Sequence, residues 1–305
     1  YVETTITVVI PAGETSVNVV IGTVDDSTDE PTETFNVNGE VTSGNTSNET
    51  DTSVVTIEDN DATPVVTIGD VTVTEGEDSN VNAVVPVTID VPSSEDTVIE
   101  ITQTSGTAGT DDYVETTIVV TIPAGETSVN VTLVILSDNI DEATETFTVN
   151  GEVTSGTATE VNNGSVTILD DPTDVPTVTI GDVTVTEGTD DYADVPVTLS
   201  NPSDEDVVIN IIVTTGTAGT DDYIETRVTV TIPAGETMVI VPIEILDDTI
   251  FEETETFTVN GEVLTADATT NETATGVVTI LNNRVDVDLS IEKTVDNNSP
   301  MPNGT

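Results

Sequence analysis

One block of sequence occurs three times in this chain. Ile-Pro-Ala-Gly-Glu-Thr stands at residues 10–15, 122–127 and 232–237, and Val-Asn-Gly-Glu-Val at 37–41, 149–153 and 259–263. Both motifs recur at offsets of 112 and then 110 residues. That period is the size of a small domain, far longer than one turn of a solenoid. The fold must therefore be one solution used repeatedly, and the function must suit a string of like domains.

The middle copy shows what that solution is. Residues 128–135 place Val129, Val131, Leu133 and Ile135 on one face, and this period of two predicts a half-buried strand. Before it, residues 123–126 form a tight turn, in which Pro123 fixes φ and Gly125 is free to take a positive φ. Residues 116–122 are the strand entering that turn, and 65–73, 84–89, 98–102, 145–149 and 165–169 supply the rest. About seven short strands per ~110 residues, without a helical period, predict an all-β chain. The expected architecture is a set of tandem seven-stranded immunoglobulin-like β-sandwiches in an elongated array. A parallel β-helix would need much shorter repeats. The abundance of Val, Ile and Thr suits strands, and the patterning of the apolar residues separates this chain from disordered acidic sequences.

Boundaries are expected after each Val-Thr-Ile strand. Residues 1–63 read as the later part of one domain, 64–173 and 174–284 as two complete domains, and 285–305 as the start of a different β-rich module. Tyr1 falls in register with Tyr113 and Tyr223, so the chain reads as a piece cut from mid-domain. The connections at 59–64 and 170–176 are short and contain Pro, which predicts stiff joints.

Charge limits the partners. Asp and Glu number 59 against three basic residues, Arg227, Arg284 and Lys293, for a formal net charge of −56. Nucleic acid and anionic membrane both call for Lys and Arg, so the natural partners here are cations. The sequence has no Cys and no His, which excludes disulfides, thiol chemistry, zinc sites and imidazole catalysis. No apolar run approaches 18 residues, so no direct membrane insertion is expected, and no signal peptide stands at Tyr1.

The acids fall where strands meet loops. In the middle copy they are Glu75, Asp111, Asp112, Asp138, Asp141, Glu142, Asp170 and Asp171. The next copy has Glu187, Asp221, Asp222, Asp247, Asp248, Glu252 and Glu253, and the first has Asp25, Asp26, Asp29, Glu30, Asp59 and Asp61. In sandwiches of this kind the first and last strands often run parallel, so their ends share a pole, and the loops carrying Asp111–Asp112 and Asp138 are expected to join them there. Carboxylates ~4–5 Å apart repel by roughly 3–4 kcal/mol at an effective dielectric of ~20. A cluster of five or more calls for a counter-ion. Calcium fits a flexible set of oxygen ligands, whereas magnesium wants fewer protein ligands and transition metals want His or Cys. A merely solvated acidic surface would scatter its acids over the outward strand faces, which here carry mainly Thr, Ser and Asn. Glu126 and Glu152 read as such surface charges.

These residues resemble the Calx-beta domain, a family named for sodium–calcium exchangers and frequent in large bacterial surface proteins. The resemblance rests on residues 74–76 (Thr-Glu-Gly), 109–113 (Gly-Thr-Asp-Asp-Tyr), the Ile-Pro-Ala-Gly-Glu-Thr turn, the Asp138 loop followed by Glu-Thr-Phe at 145–147, and 166–171 (Val-Thr-Ile-Leu-Asp-Asp). The next copy matches at 186–188, 221–223, 246–253 and 255–257, and the likeness spans about 280 residues. It implies a seven-stranded sandwich with calcium at the distal pole. Glu75, Asp112, Asp138, Asp170 and Asp171 become the ligands of the second domain, and Glu187, Asp222, Asp247, Asp248 and Glu252 those of the third. One departure is plain: the third copy reads Leu-Asn-Asn at 281–283 where the family ends in Asp, so fewer ions or weaker binding are expected there.

Residues 288–305 resemble the opening of a second module of bacterial surface proteins. Mixed arrays of such modules resemble very large adhesins, including the mobile cell-surface adhesins of gliding bacteria. The resemblance therefore implies an extracellular stalk on a bacterial cell surface, rigidified by Ca2+ and spacing a distal binding domain from the cell. Its partners would be calcium ions and adjacent repeats. The alternative is a calcium-dependent adhesive module that itself binds a surface glycan or protein. Phe35, Phe147 and Phe257 recur and read as core, while Tyr192 and Phe251 do not recur and stand as candidate contacts. Calcium sensing would need an attached effector. Catalysis is not expected: pairs such as Asp111–Asp112 could serve a glycosidase, but they recur from copy to copy and no aromatic sugar cleft accompanies them. Residues 26–28, 96–98 and 248–250 resemble a bacterial O-glycosylation signal, at a frequency that chance supplies in a chain rich in Asp and Thr.

Overall fold

The computed structural model describes residues 1–77, 79–265, 268–284 and 291–292. Nearly all of the segment expected to open a different module lies outside the described residues. Among those described there is no helix, and every regular element is a strand. The chain forms two compact units. The first holds residues 1–138 and 143–171, and the second holds 139–142 and the described residues from 172 onward.

In the first unit, β1 (Glu33–Glu40) and β2 (Thr50–Ile57) form an antiparallel pair. The second copy of the repeat comes next, with β3 (Val65–Ile68), β4 (Val71–Thr74), β5 (Val81–Ile89), β6 (Thr97–Ser105), β7 (Ile118–Ile122), β8 (Ser128–Ile135), β9 (Glu145–Ser155), β10 (Glu160–Asn162) and β11 (Gly164–Leu169). These build two sheets, ordered β10-β3-β5-β8 and β4-β11-β9-β6-β7. Alternation along β5, β6 and β8 sends every second side chain inward, and Val66, Val85, Val87, Ile99, Ile101, Leu133, Ile135 and Val149 fill the space between the sheets.

The segment 65–73 is not one strand, as its composition suggests, but two. The Gly69 N–H donates to the Pro86 carbonyl at 2.8 Å, and a Cβ on Gly69 would stand 2.7 Å from the Pro86 ring. The next residue, Asp70, accepts both the N–H and the hydroxyl of Ser165 at 2.8 Å. The chain thus leaves one sheet at Gly69 and enters the other at Val71. The last strand does the same between β10 and β11, so each terminal strand contributes to both sheets. β3 pairs with β10 and β4 with β11, both in parallel. This pairing gives the first and last strands the shared pole expected of them.

In the second unit, β12 (Val178–Ile180), β13 (Val183–Thr186), β14 (Tyr192–Leu199), β15 (Val207–Thr215), β16 (Arg227–Ile232), β17 (Met238–Glu244), β18 (Glu255–Val263) and β19 (Thr273–Leu281) repeat the plan. The sheets are ordered β12-β14-β17 and β13-β19-β18-β15-β16, and β13 again runs parallel to the last strand.

Each copy stacks one tyrosine on one phenylalanine. The ring centroids lie 4.1 Å apart for Tyr1–Phe35, 4.0 Å for Tyr113–Phe147 and 4.1 Å for Tyr223–Phe257. In the second and third copies both rings are fully buried. Because the tyrosine immediately follows an Asp-Asp pair, this stack ties that acidic loop to the core.

Candidate metal centre

The parallel pairing of first and last strands starts the site. Just beyond β4 the Glu75 N–H donates to the Leu169 carbonyl at 2.8 Å, and beyond β13 the Glu187 N–H donates to Leu281 at 3.0 Å. The ladder therefore sets each Glu beside the residue after the last strand, Asp170 in one copy and Asn282 in the other. Both glutamates are buried, at 8% and 4% exposure. Each draws in the loop after β8 or β17: Glu75 Oε1 accepts the Asp138 N–H at 3.1 Å, and Glu187 Oε1 accepts the Asp248 N–H at 2.9 Å.

The tyrosine-anchored loops carry further acids. Asp112 Oδ2 accepts the Gly109 N–H at 2.5 Å, and Asp222 Oδ2 accepts the Gly219 N–H at 2.6 Å. Their neighbours Asp111 and Asp221 are exposed. In the first unit a carboxylate oxygen of Asp112 lies within 4.8 Å of one from Glu145. In the second unit, Glu187, Asp248 and Glu252 bring one oxygen each within 4.8 Å of one another, and so do Asp222, Glu252 and Glu255. Glu252 belongs to both triads. Beside them, Gly188 makes room for Asp247 and Asn283. Its φ is +62°, and a Cβ there would stand 2.6 Å from Asp247 Oδ1.

Crowding sets the electrostatics. Carboxylates gathered within 4.8 Å of one another repel by roughly 3 kcal/mol or more at an effective dielectric of ~20. The Glu255 carboxyl is pushed up from 4.5 to about 7, first by burial, then by its hydrogen bond with Asp222, and then by the charges of Asp222, Glu252 and Asp221. Glu252 is also raised, by burial and then by Asp222, Asp248, Glu187 and Asp221.

In the first copy Asp25, Asp26, Glu30, Glu33, Asp59 and Asp61 line one small concavity. Glu30 is raised by desolvation and then by Asp26, Glu33, Asp59 and Asp61. Asp61 is raised by desolvation and then by Asp59, Asp25, Asp26 and Asp29. A more voluminous concavity, about 540 Å³, lies elsewhere, between residues 7–10 and 39–51, and does not gather these acids.

The remaining sequence-derived candidates take varied positions. Asp170 is half-buried and Asp171 buried, both directly after β11. Glu142 is half-buried, and Glu253 is exposed. Asp247 accepts from Asn283 Nδ2 at 3.1 Å and pairs with Arg284 at 3.2 Å. Asp141 lies with the second unit, where its N–H donates to the Pro202 carbonyl at 3.1 Å and its Oδ2 accepts the Ser203 hydroxyl at 3.1 Å. Burial raises the Asp141 carboxyl, the Ser203 bond opposes this, and Asp204 and Glu205 add to the rise. Asp29 is held alike in the first unit. It is 6% exposed, its N–H donates to the Pro92 carbonyl at 3.0 Å, and its carboxylate accepts from the Thr157 hydroxyl.

The structure adds Glu145 and Glu255 to the converging carboxylates. Each opens its strand two residues before the stacked phenylalanine, and the signal was their recurrence, with Glu33, in the Glu-Thr-Phe motif. The donor set fits calcium. It consists of carboxylate oxygens, the ligand type that calcium takes in flexible geometry.

The model of the Calx-beta domain family matches residues 1–63, 59–180 and 170–284. No enzyme family matches, and Calx-beta domains are generally non-catalytic. Among solved structures the chain is similar to CBD12 from CALX1.2, at 15% identity over 70% of this chain and 99% of that one, with a TM-score of 0.32. It is similar to the apo-form Calx CBD1 domain at 21% identity over 35% and 99%, with a TM-score of 0.30. Drosophila N-cadherin EC1-4 aligns at 12% identity over 85% and 59%, with a TM-score of 0.30. No curated protein matches the chain.

Proposed function

The chain belongs to the Calx-beta family, and from that premise we propose that it is a calcium-rigidified repeat stalk of a large secreted or cell-surface adhesin on a bacterium, spacing a distal binding domain from the cell. One observation carries the reading: in the second unit, acids from four separate segments form two close triads, Glu187–Asp248–Glu252 and Asp222–Glu252–Glu255, which share Glu252. Glu75, Asp112, Asp138, Glu145, Asp170 and Asp171 would hold calcium in the second copy. In the third copy Glu187, Asp222, Asp248, Glu252 and Glu255 would do so. The first copy offers Asp25, Asp26, Asp59 and Asp61.

Calcium supplies the positive charge that lets these carboxylates coexist. The chain does the rest. Buried Glu75 and Glu187 hold the loop backbone, the Tyr–Phe stacks fix the Asp-Asp loops, and the parallel first and last strands keep both chain ends of a domain rigid beside the acids. With a dissociation constant of ~0.1 mM and ~1 mM free calcium, each site adds about 1.4 kcal/mol to folding. Without it, repulsion should loosen the pole and admit proteases. Small-angle scattering of the whole chain in calcium and in chelator tests the stalk: an unchanged profile removes it.

A specific observation favours a second reading, a calcium-dependent adhesive module. Tyr192 is 52% exposed, and Ile250 and Phe251 project at 61% and 45% from the loop that carries Asp248. Binding to a glycan array that is lost in chelator and in Phe251→Ala would establish this reading over simple support.

A further inference from the structure

The third copy keeps a cation of its own at the acidic pole. The sequence holds three basic residues in 305, and one of them, Arg284, reaches the loop that carries the candidate ligands. Its Nη2 lies 3.2 Å from Asp247 Oδ1 and donates to the Asp248 carbonyl. Two neutral donors support it. Asn283 Nδ2 donates to the same Asp247 oxygen at 3.1 Å, and Asn282 Nδ2 to the Glu252 carbonyl at 2.8 Å. The Arg284 backbone N–H in turn donates to Asn282 Oδ1 at 2.5 Å.

The strand register makes the second copy an internal control. Leu169 faces Thr74 and Leu281 faces Thr186, so Asn282, Asn283 and Arg284 stand where the second copy has Asp170, Asp171 and Pro172. The formal charge of the three positions changes from −2 to +1, a difference of three. The partner changes with it, since Asp247 stands where the second copy has Ser137. Cation and anion thus enter together, at two places far apart in sequence.

We infer that Arg284 is a tethered counter-ion that takes over part of calcium's task in the third copy. This pole then stays ordered when calcium is withdrawn, and it takes up less calcium than the second. The inference rests on the calcium reading above, but half of its test does not need calcium. A guanidinium fixed by two contacts offers charge without a free-ion equilibrium, so its effect is independent of calcium concentration.

The experiment uses the full chain, with Arg284→Gln and Arg284→Lys beside wild type. In chelator, hydrogen exchange of the segment 246–256 should quicken about tenfold in Arg284→Gln, while Arg284→Lys keeps most of the protection. Exchange of the strands β14 and β15 should not change, which separates a loosened pole from a misfolded domain. In calorimetric titration with calcium, Arg284→Gln should bind more tightly at the third pole, by about tenfold. Unchanged exchange in Arg284→Gln overturns the inference. If wild type takes up no calcium, the calcium reading fails, while the chelator arm still decides for or against Arg284.

Discussion

The poles of the second and third copies are built on one frame and filled differently. Both have a buried Glu after the first strand, an Asp behind the Tyr–Phe stack and a Glu opening the strand that carries Phe147 or Phe257. The second then adds Asp170 and Asp171, whereas the third supplies Asn282, Asn283 and Arg284. The frame is set by backbone pairing and core packing, which are indifferent to the side chains beyond the last strand. Charge at the pole can therefore be tuned copy by copy without disturbing the fold.

That comparison can be broken at its base first. If the frames are equivalent, Phe147→Ala and Phe257→Ala should each lower stability by about 3–5 kcal/mol, because each removes a fully buried ring and leaves a cavity. Chemical denaturation resolved copy by copy would show it, and a large inequality would mean that the two cores are not alike. Next comes the filling. Returning the third pole to the pattern of the second with Asn282→Asp and Asn283→Asp should tighten its calcium binding by at least about tenfold, since ligand charge sets affinity in such sites. Calorimetry reads this directly, and unchanged affinity would show that these two positions lie outside the ligand set.

A smaller effect should appear with pH. The Glu255 carboxyl sits at about 7, above its ordinary 4.5. The folded state therefore binds a proton that the unfolded chain does not between about 4.5 and 7. Its contribution favours folding fully below about 4.5 and is lost as pH rises through about 7. Thermal melts in chelator should show the third copy gaining stability as pH falls from about 8 to about 5, and Glu255→Gln should flatten that rise. The smallest expected change is Ser203→Ala. It removes the hydroxyl that Asp141 Oδ2 accepts and should cost about 0.5–1.5 kcal/mol without altering the calcium heat at the third pole.

Much of this was legible beforehand. Alternation located β8 at residues 128–135 to the residue, and the recurrence of Phe147 and Phe257 marked them as core. The break between β3 and β4 was not legible. It depends on Gly69 meeting Pro86 from another strand, a contact that no local pattern records. Glu145 and Glu255 were visible as a motif but not as partners of Asp112 and Asp222, because nothing in a Glu-Thr-Phe triplet tells which loop will lie against it. Asp29 and Asp141 sit among the acids in sequence, yet their carboxylates accept hydroxyls from Thr157 and Ser203.

The sequence by itself determined the repeat, the all-β fold and the acidic character of the loops, because periodicity and composition are local properties that any three-dimensional arrangement must respect. Only the tertiary structure decided which carboxylates meet and where Arg284 reaches. Those distances depend on the parallel register of first and last strands and on the buried aromatic stacks. Residues as distant in sequence as Glu187 and Leu281 become neighbours only once the sheets have closed.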